Sequence, residues 1–497
     1  MTELELKFQV PDDKAGALQS ELLRHGAQIT PLLARYFDTN DGRLARRRLA
    51  LRLRKEGHGW VQTLKADGAS AIERLEHEVP LDVALGAEPL LDPSRHDHTE
   101  AGALLRKALA DGEPMDLLAR FTVEVQRLAC ELPMEGSRIE AALDLGLIRA
   151  GERSADVCEL EFEHKSGERQ ALFLLARQWA ERGGLWLSTR SKSARGTALA
   201  SGLDHGPATK APAPKLEAAR SGSAVVGAVL RSALDQVLAN ASEIAAGCTS
   251  EEHVHQLRVG LRRLRTALRE LAAVANGFDP EWEAPLAKAF ASLGAVRDER
   301  TAARAVAPVL AEAGAPKRTW EAPSDEPDVG AVVRHPAFQA TLLDLLRFAH
   351  RDAMSSADGP SASKVLDHVA DRLSTLHRRV VRDGKRFADL PASEQHRVRK
   401  RLKRLRYLAE FVATCWPYKR VRRYLRHLEP AQDALGHHND VAVAQEKFRA
   451  ESERDAQALF AAGYLQAHLR VTAKAAHRAL KDVASARPFW TDRPHKA

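Results

Sequence analysis

The chain has 497 residues, about three times an ordinary domain length, with 44% hydrophobic and 29% charged residues, an ordinary globular composition. No apolar run approaches the roughly 20 residues that span a bilayer, and the acidic opening MTELELKFQV is unlike a secretory leader. Cys130, Cys158, Cys248 and Cys415 stand far apart with no C-x-x-C, which argues against a disulfide framework or a zinc ribbon and leaves the cytoplasm as the expected location.

In chain order, residues 1–200 read as short strands with a few helices. Period-2 stretches occur at 3–10, 49–56, 121–128, 138–145 and 158–165, separated by turns such as Asp41-Gly42, Asp67-Gly68, Gly136 and Gly151. Helical patterns fall at about 12–25, 100–110 and 168–183. So many alternating strands predict a closed antiparallel sheet. Residues 203–218, rich in Pro and Ala, read as a linker. Beyond it the period shifts to 3.6, with helices expected near 222–246, 251–274, 283–312, 336–356, 361–383, 391–414, 419–447 and 454–483, and a loop at 316–333. This half repeats itself: HQLRVGLRRLRTALR (255–269) aligns with HRVRKRLKRLRYLAE (396–410), and Leu293-Gly294 with Arg297-Asp298 aligns with Leu435-Gly436 and Asn439-Asp440.

Charge follows the same division. Of the net charge of +8, residues 1–200 carry about −4 and the remainder about +12, with about +9 in residues 391–430 alone. Such a block calls for an anionic partner. Few aromatic residues interleave the basic stripe, which argues against nucleic acid, and leucines suited to a core argue against a membrane surface.

Parity sharpens the first half. Residues i, i+2 and i+4 of a strand share a face, so Glu3, Glu5 and Lys7 point together, as do Arg52 with Arg54, Arg74 with Glu76 and Glu78, and Glu159 with Glu161 and Glu163. Neighbouring carboxylates on one face repel unless a cation compensates. If the first and last strands meet, four carboxylates converge on a hard-cation site, and Arg and Lys on the other strands form a facing basic wall. That arrangement suits a metal-bound polyphosphate. His77 and His164 alternate with these positions and are expected to face outward.

In the second half His255, Arg258, Arg262 and Arg265 fall within about 80° of a helix face, opposite Leu257, Leu261, Leu264 and Leu268. His396, Arg399, Lys403 and Arg406 repeat the spacing. Like charges so spaced weaken each helix by tenths of a kcal/mol per pair, a cost met twice, which favours a shared anion site.

ELELK (3–7) is similar to the ExExK signature of CYTH-domain triphosphate tunnel enzymes. YFDT (36–39), LRLR (51–54), TLK (63–65), Arg74 with Glu76, Arg127, ALDLGLIRAG (142–151), CELEFEHKSG (158–167) and SKSARG (191–196) continue the resemblance in order. The second half resembles the CHAD domain, and the whole is similar to bacterial inorganic triphosphatases that join the two. The resemblance implies an α+β multidomain protein: an eight-stranded antiparallel β-barrel tunnel at 1–202, a linker at 203–218, and at 219–490 an all-α domain of two repeated four-helix bundles. It implies metal-dependent hydrolysis of inorganic triphosphate to pyrophosphate and phosphate, with Mg²⁺ or Mn²⁺ held by Glu3, Glu5, Asp144, Glu159 and Glu161. Lys7, Arg52, Arg54, Lys65, Arg74, Arg127 and Lys192 would contact phosphate, with Lys7, Arg52 and Glu76 in catalysis. The helical half would bind inorganic polyphosphate through His255, Arg258, Arg262, Arg265, His396, Arg399, Lys403 and Arg406, with Arg297, Asp298, Tyr407, Gln432, Asp433, Asn439 and Asp440 nearby, and associate with polyphosphate granules. The alternatives are a catalytically idle granule-binding protein, and a hydrolase or cyclase acting on an organic triphosphate.

Overall fold

The computed structural model describes the chain apart from Met1, Ala69, residues 85–86, Pro114, 217–218, Arg220, 316–327, 352–358, Arg454 and 492–497; for Thr2 and residues 295–300 it describes the backbone alone. It divides into two compact units, one of residues 1–210, 234–257 and 333–348, the other of residues 211–233, 258–332 and 349–497.

In the first unit the order is β1 (Thr2–Gln9), α1 (Asp12–Arg24), β2 (Gln28–Asp38), α2 (Arg43–Arg46), β3 (Leu49–Glu56), β4 (Gly59–Asp67), β5 (Glu73–Leu81), α3 (Glu100–Leu109), β6 (Leu118–Met134), β7 (Ser137–Ala150), β8 (Arg153–Ser166), α4 (Arg169–Gly183), β9 (Trp186–Leu187) and α5 (Lys192–Ala200). The strands pair antiparallel in the order β5-β4-β3-β2-β6-β7-β8-β1, and a β1–β5 pairing closes the ring into an eight-stranded barrel, with the two-residue β9 added beside β1. Directly opposed residues share a face. The registers Glu3↔Arg74, Lys7↔Glu161, Glu159↔Asp144, Asp144↔Arg127, Arg127↔Thr30, Ala34↔Arg54, Tyr36↔Arg52, Arg52↔Thr63 and Lys65↔Glu76 therefore trace one continuous surface around the ring. That surface is the interior.

The polarity is the reverse of an ordinary small barrel. Leu4, Leu6, Phe8, Leu160 and Phe162 lie on the outer face and are buried, and Phe162 meets both Phe8 (ring centroids 5.9 Å apart) and Trp179 of α4 (5.7 Å). The outer face of β3–β4, with Leu49, Leu51, Leu64 and Ala66, packs under Ala101, Leu105 and Ala108 of α3. Helices on the outside thus carry the hydrophobic burial that holds the barrel, leaving its interior for charge. His77 is on this outer face, 2.9 Å from the buried His96, which also meets Gln62.

One stretch of the interior is apolar. Leu32, Ala34, Tyr36, Phe121, Val123, Val125, Ile148, Ala150 and Val157 share the inner parity and pack with Leu199 of α5. A Cβ on Gly196 would sit 2.2 Å from the Phe121 ring, so only glycine lets α5 approach this closely. The basic wall expected on the other strands is therefore interrupted by this cluster.

The remaining helices are α6 (Gly222–Ala245), α7 (Glu251–Leu271), α8 (Glu283–Glu312), α9 (Val329–Arg334), α10 (Pro336–Ala349), α11 (Ala362–Gly384), α12 (Ala392–Phe411), α13 (Tyr418–Glu451) and α14 (Ala456–Ser485). Of the loop expected at 316–333, residues 316–327 lie outside the described residues, and its end, from Val329, is helical as the start of the short α9. In the second unit α11 packs on α12, α12 on α13, α13 on α14 and α14 on α11, a four-helix bundle. The helices of the first repeat, α6 to α10, are divided between the two units. The repeat has a structural counterpart within the second unit: Ser221 and Ser361, which precede α6 and α11, form a β-bridge with each other. Each serine hydroxyl lies 2.9 Å from the hydroxyl of the serine two residues on. No helix among the described residues is long and apolar enough to cross a membrane.

Candidate active site

Three carboxylates on adjacent strands converge inside the barrel: Asp144, Glu159 and Glu161 each offer an oxygen within 4.8 Å of the others. Asp144 and Glu159 are buried. Lys7 Nζ lies 2.9 Å from Glu161 and 3.2 Å from Glu159. Lys192, on the first turn of α5, reaches Asp144 at 2.6 Å and Glu161 at 3.0 Å and also pairs with Glu159. Arg127 donates two hydrogen bonds to Asp144, at 2.8 and 2.7 Å, and one to Glu161 at 2.9 Å.

Burial alone would push the Asp144 and Glu161 carboxyls up, but Lys192 with Arg127, and for Glu161 also Lys7, holds both below their ordinary values. Burial would likewise lower Lys7 and Lys192; the facing carboxylates hold both above the usual lysine range. The acid and the base therefore do not occupy separate walls, as expected from sequence, but interlock on one. The reason is electrostatic, since three carboxylates this close in a buried site need counter-charge.

On β3–β5 and the end of β1 a second group forms. Lys65 pairs with Glu76 and lies 3.4 Å from Glu3. Burial, then a hydrogen bond with Glu76, pushes the Glu3 carboxyl up to about 8. Glu76 itself is held low: burial would raise it, and Lys65 outweighs that. Arg52 receives less charge compensation, with Glu76 and Glu78 each at 3.8 Å, and donates to the Tyr36 hydroxyl at 3.2 Å. Tyr36 stacks on Phe121, centroids 4.7 Å apart. Arg54 is 3.0 Å from Glu78.

Glu3 and Glu5 share the inner face but stand outside the three-carboxylate group; Glu5 is 3.8 Å from Lys7. Arg74 has the inner parity, and its guanidinium is 3.2 Å from Asp67, the residue directly opposite it on β4. Sequence reasoning assigned no role to Tyr36, although it lies within the quoted YFDT; its hydroxyl orients Arg52. The donor set, carboxylate oxygens with no thiol or imidazole, fits a hard divalent cation.

In the second unit Arg258 and Arg262 of α7 stand with Arg399 and Lys403 of α12 in one electrostatic group. Burial, then Arg262, Arg399 and Arg258, pushes the Lys403 amine down to about 6. The guanidiniums of Arg258, Arg262 and Arg265 surround the Phe290 ring at 5.1, 5.4 and 5.5 Å. Arg265 is 2.5 Å from Glu283, and Arg406 is 2.7 Å from Glu410 and 2.6 Å from Gln432, so both are neutralised by neighbours. His396 pairs with Asn439 at 3.1 Å. His255 belongs to the first unit, and the side chains of Arg297 and Asp298 lie outside the described residues.

A closed antiparallel barrel with an ion-paired interior, and a helical repeat bearing clustered cations, define the class of this two-part chain. The family model described as CYTH domain matches residues 1–197 and that described as CHAD domain matches 228–449; the chain carries a CYTH domain followed by a CHAD domain. It is 31% identical to an inorganic triphosphatase of Haemophilus influenzae over 172 residues, 33% of this chain and 45% of the relative, so the match spans less than half of that relative's length. The solved CHAD domain from the plant Ricinus communis is 26% identical, the likeness covering 59% of this chain and 99% of that one at a TM-score of 0.44. A solved Hippeastrum protein described as having a dominant triphosphatase activity is 18% identical, over 40% of this chain and 96% of its own, at a TM-score of 0.27.

Proposed function

We propose that the barrel hydrolyses inorganic triphosphate to pyrophosphate and phosphate in a reaction that depends on Mg²⁺ or Mn²⁺, and that the helical half binds inorganic polyphosphate. On this reading the domains are 1–202 and 219–490, with a linker at 203–218, and the helical half associates the enzyme with polyphosphate granules. One observation carries it: Asp144, Glu159 and Glu161 converge within 4.8 Å on the interior wall that also presents Lys7, Arg127 and Lys192.

The three carboxylates, with Glu3 and Glu5 on the same face, would hold the metal, which when bound supplies positive charge to the phosphate oxygens. The chain's own part is positioning and charge. Phosphoryl transfer asks chiefly for these. Lys7, Arg127 and Lys192 are paired with carboxylates; an entering phosphate chain would offer them anionic oxygens instead, and the carboxylates would then take their counter-charge from the bound metal. Arg52, oriented by Tyr36, with Arg54 and Lys65, faces the remaining oxygens. Glu76, kept ionised by Lys65, would orient the attacking water.

The test is phosphate release from triphosphate, long-chain polyphosphate and ATP, with and without Mg²⁺. Glu161→Gln should lower release from triphosphate at least about 100-fold and leave polyphosphate binding by the whole chain unchanged. Arg399→Glu with Lys403→Glu should do the reverse. Metal-independent release, or full turnover in Glu161→Gln, would overturn the assignment.

A further inference from the structure

The second unit carries an apolar stripe that neither proposed activity uses. α14 buries Ala458, Ala461, Ala462 and Leu465 in a core shared with Ala302 and Val306 of α8 and Val441, Ala444 and Phe448 of α13. Its opposite side presents Ala456, Leu459, Phe460, Gly463, Tyr464, Ala467 and Val471 to solvent. Leu459 and Val471 are each 60% exposed and Phe460 46%. In a chain that is 29% charged, residues 456–469 contain no Asp, Glu, Lys or Arg. Positions 456, 460, 463, 467 and 471 recur at intervals of three and four, the spacing of a helix–helix seam. The rings are pre-ordered as well: Phe460 stacks on Tyr464 (6.4 Å, 15°), which stacks on His468 (6.3 Å, 12°). Fixed side chains lose little entropy on docking.

We propose that this face is a homodimer interface in which α14 packs antiparallel against α14 of a second copy about a two-fold axis near Gly463 and Tyr464. Charge selects both the occupant and the direction. The segment entering α14, ESERD at 451–455, is net acidic, whereas the helix beyond the seam carries Arg470, Lys474 and Arg478, all exposed. Antiparallel pairing about that centre brings the turn that carries Glu453, just ahead of α14 in one copy, toward Lys474 of the other, and the two-fold repeats the contact. Parallel pairing would place like charges together. A Cβ on Gly463 would meet nothing within 4 Å, so the crossing point is open to a close partner. A seam of this length buries on the order of 1,000 Å² in total, the low end for specific interfaces, so the dimer is weak and reversible.

Sedimentation velocity of the full chain from 1 to 100 µM in about 0.15 M salt tests this. The wild type should pass from monomer to dimer across the series. Phe460→Asp, on an exposed side chain, should move the midpoint at least tenfold higher with an unchanged circular dichroism spectrum. Glu453→Lys and Lys474→Glu should each weaken association, and the double variant should restore it. A chain monomeric at 100 µM, or a dimer indifferent to Phe460→Asp, overturns the interface; a double variant no better than the singles overturns the antiparallel arrangement.

Discussion

Lys403 is a lysine whose chemistry departs far from its type. Burial, reinforced by Arg262, Arg399 and Arg258 against Asp440, brings its amine down to about 6, so near pH 7 it is mostly neutral. A phosphate chain bound beside it would supply the missing negative charge and draw a proton onto the amine. Binding of long-chain polyphosphate to the whole protein should therefore take up protons at pH 7.5 and tighten several-fold between pH 8 and 5.5. Calorimetry in buffers of different ionisation enthalpy reads the uptake directly. Lys403→Met should remove most of it, leaving weaker binding; His396, which titrates nearby, would keep a remainder. Equal uptake in wild type and variant would mean that the amine does not face the ligand.

Between elements, the buried ion pairs decide more than the surface ones. Glu270, near the end of α7, has a fully buried side chain that meets Arg372 of α11 at 2.8 Å and Arg404 of α12 at 3.4 Å. Glu270→Gln leaves two guanidiniums without their carboxylate and should cost about 3 kcal/mol in a urea titration; a loss under about 1 kcal/mol would show that water already compensates them. Nothing in RTALREL distinguishes Glu270 from an exposed charge, because its burial depends on α11 and α12, a hundred residues or more away. The barrel wall was legible for the opposite reason. Strand parity is local, so Glu3, Glu5 and Lys7, like Glu159 and Glu161, declared their common face in the sequence. Parity could not say where that face changes character: Phe121, Val123 and Val125 share it with Arg127, and only the packing of Leu199 from α5 makes them an apolar cluster. Nor could it foresee that Lys192, from a helix, would enter the carboxylate group.

Across the whole molecule the two units should answer acid differently. In the second unit His438 is buried between Thr472 and Gln395, at 2.8 and 2.9 Å, and burial pushes its imidazole down to about 4. The unfolded chain, with this group near 6.5, takes the proton first, so the stability it contributes is complete above about 6.5 and is lost as pH falls toward 4. In the first unit His96, also lowered to about 4, acts in the same direction. There Glu3 opposes it: raised to about 8, it binds a proton in the folded state before the unfolded one, adding stability as pH falls from 8 toward 4.5. The carboxylates held low, Asp144 and Glu161, give up their contribution only in stronger acid. Hydrogen exchange followed by mass spectrometry at pH 7, 6 and 5, corrected for intrinsic rates, should show protection falling in α12–α14 while β7 and β8 change little. His438→Gln should flatten the decline in α12–α14. A decline of equal size in β7 and β8 would mean that Glu3 does not offset His96, and an unchanged slope in His438→Gln would remove this histidine as its cause.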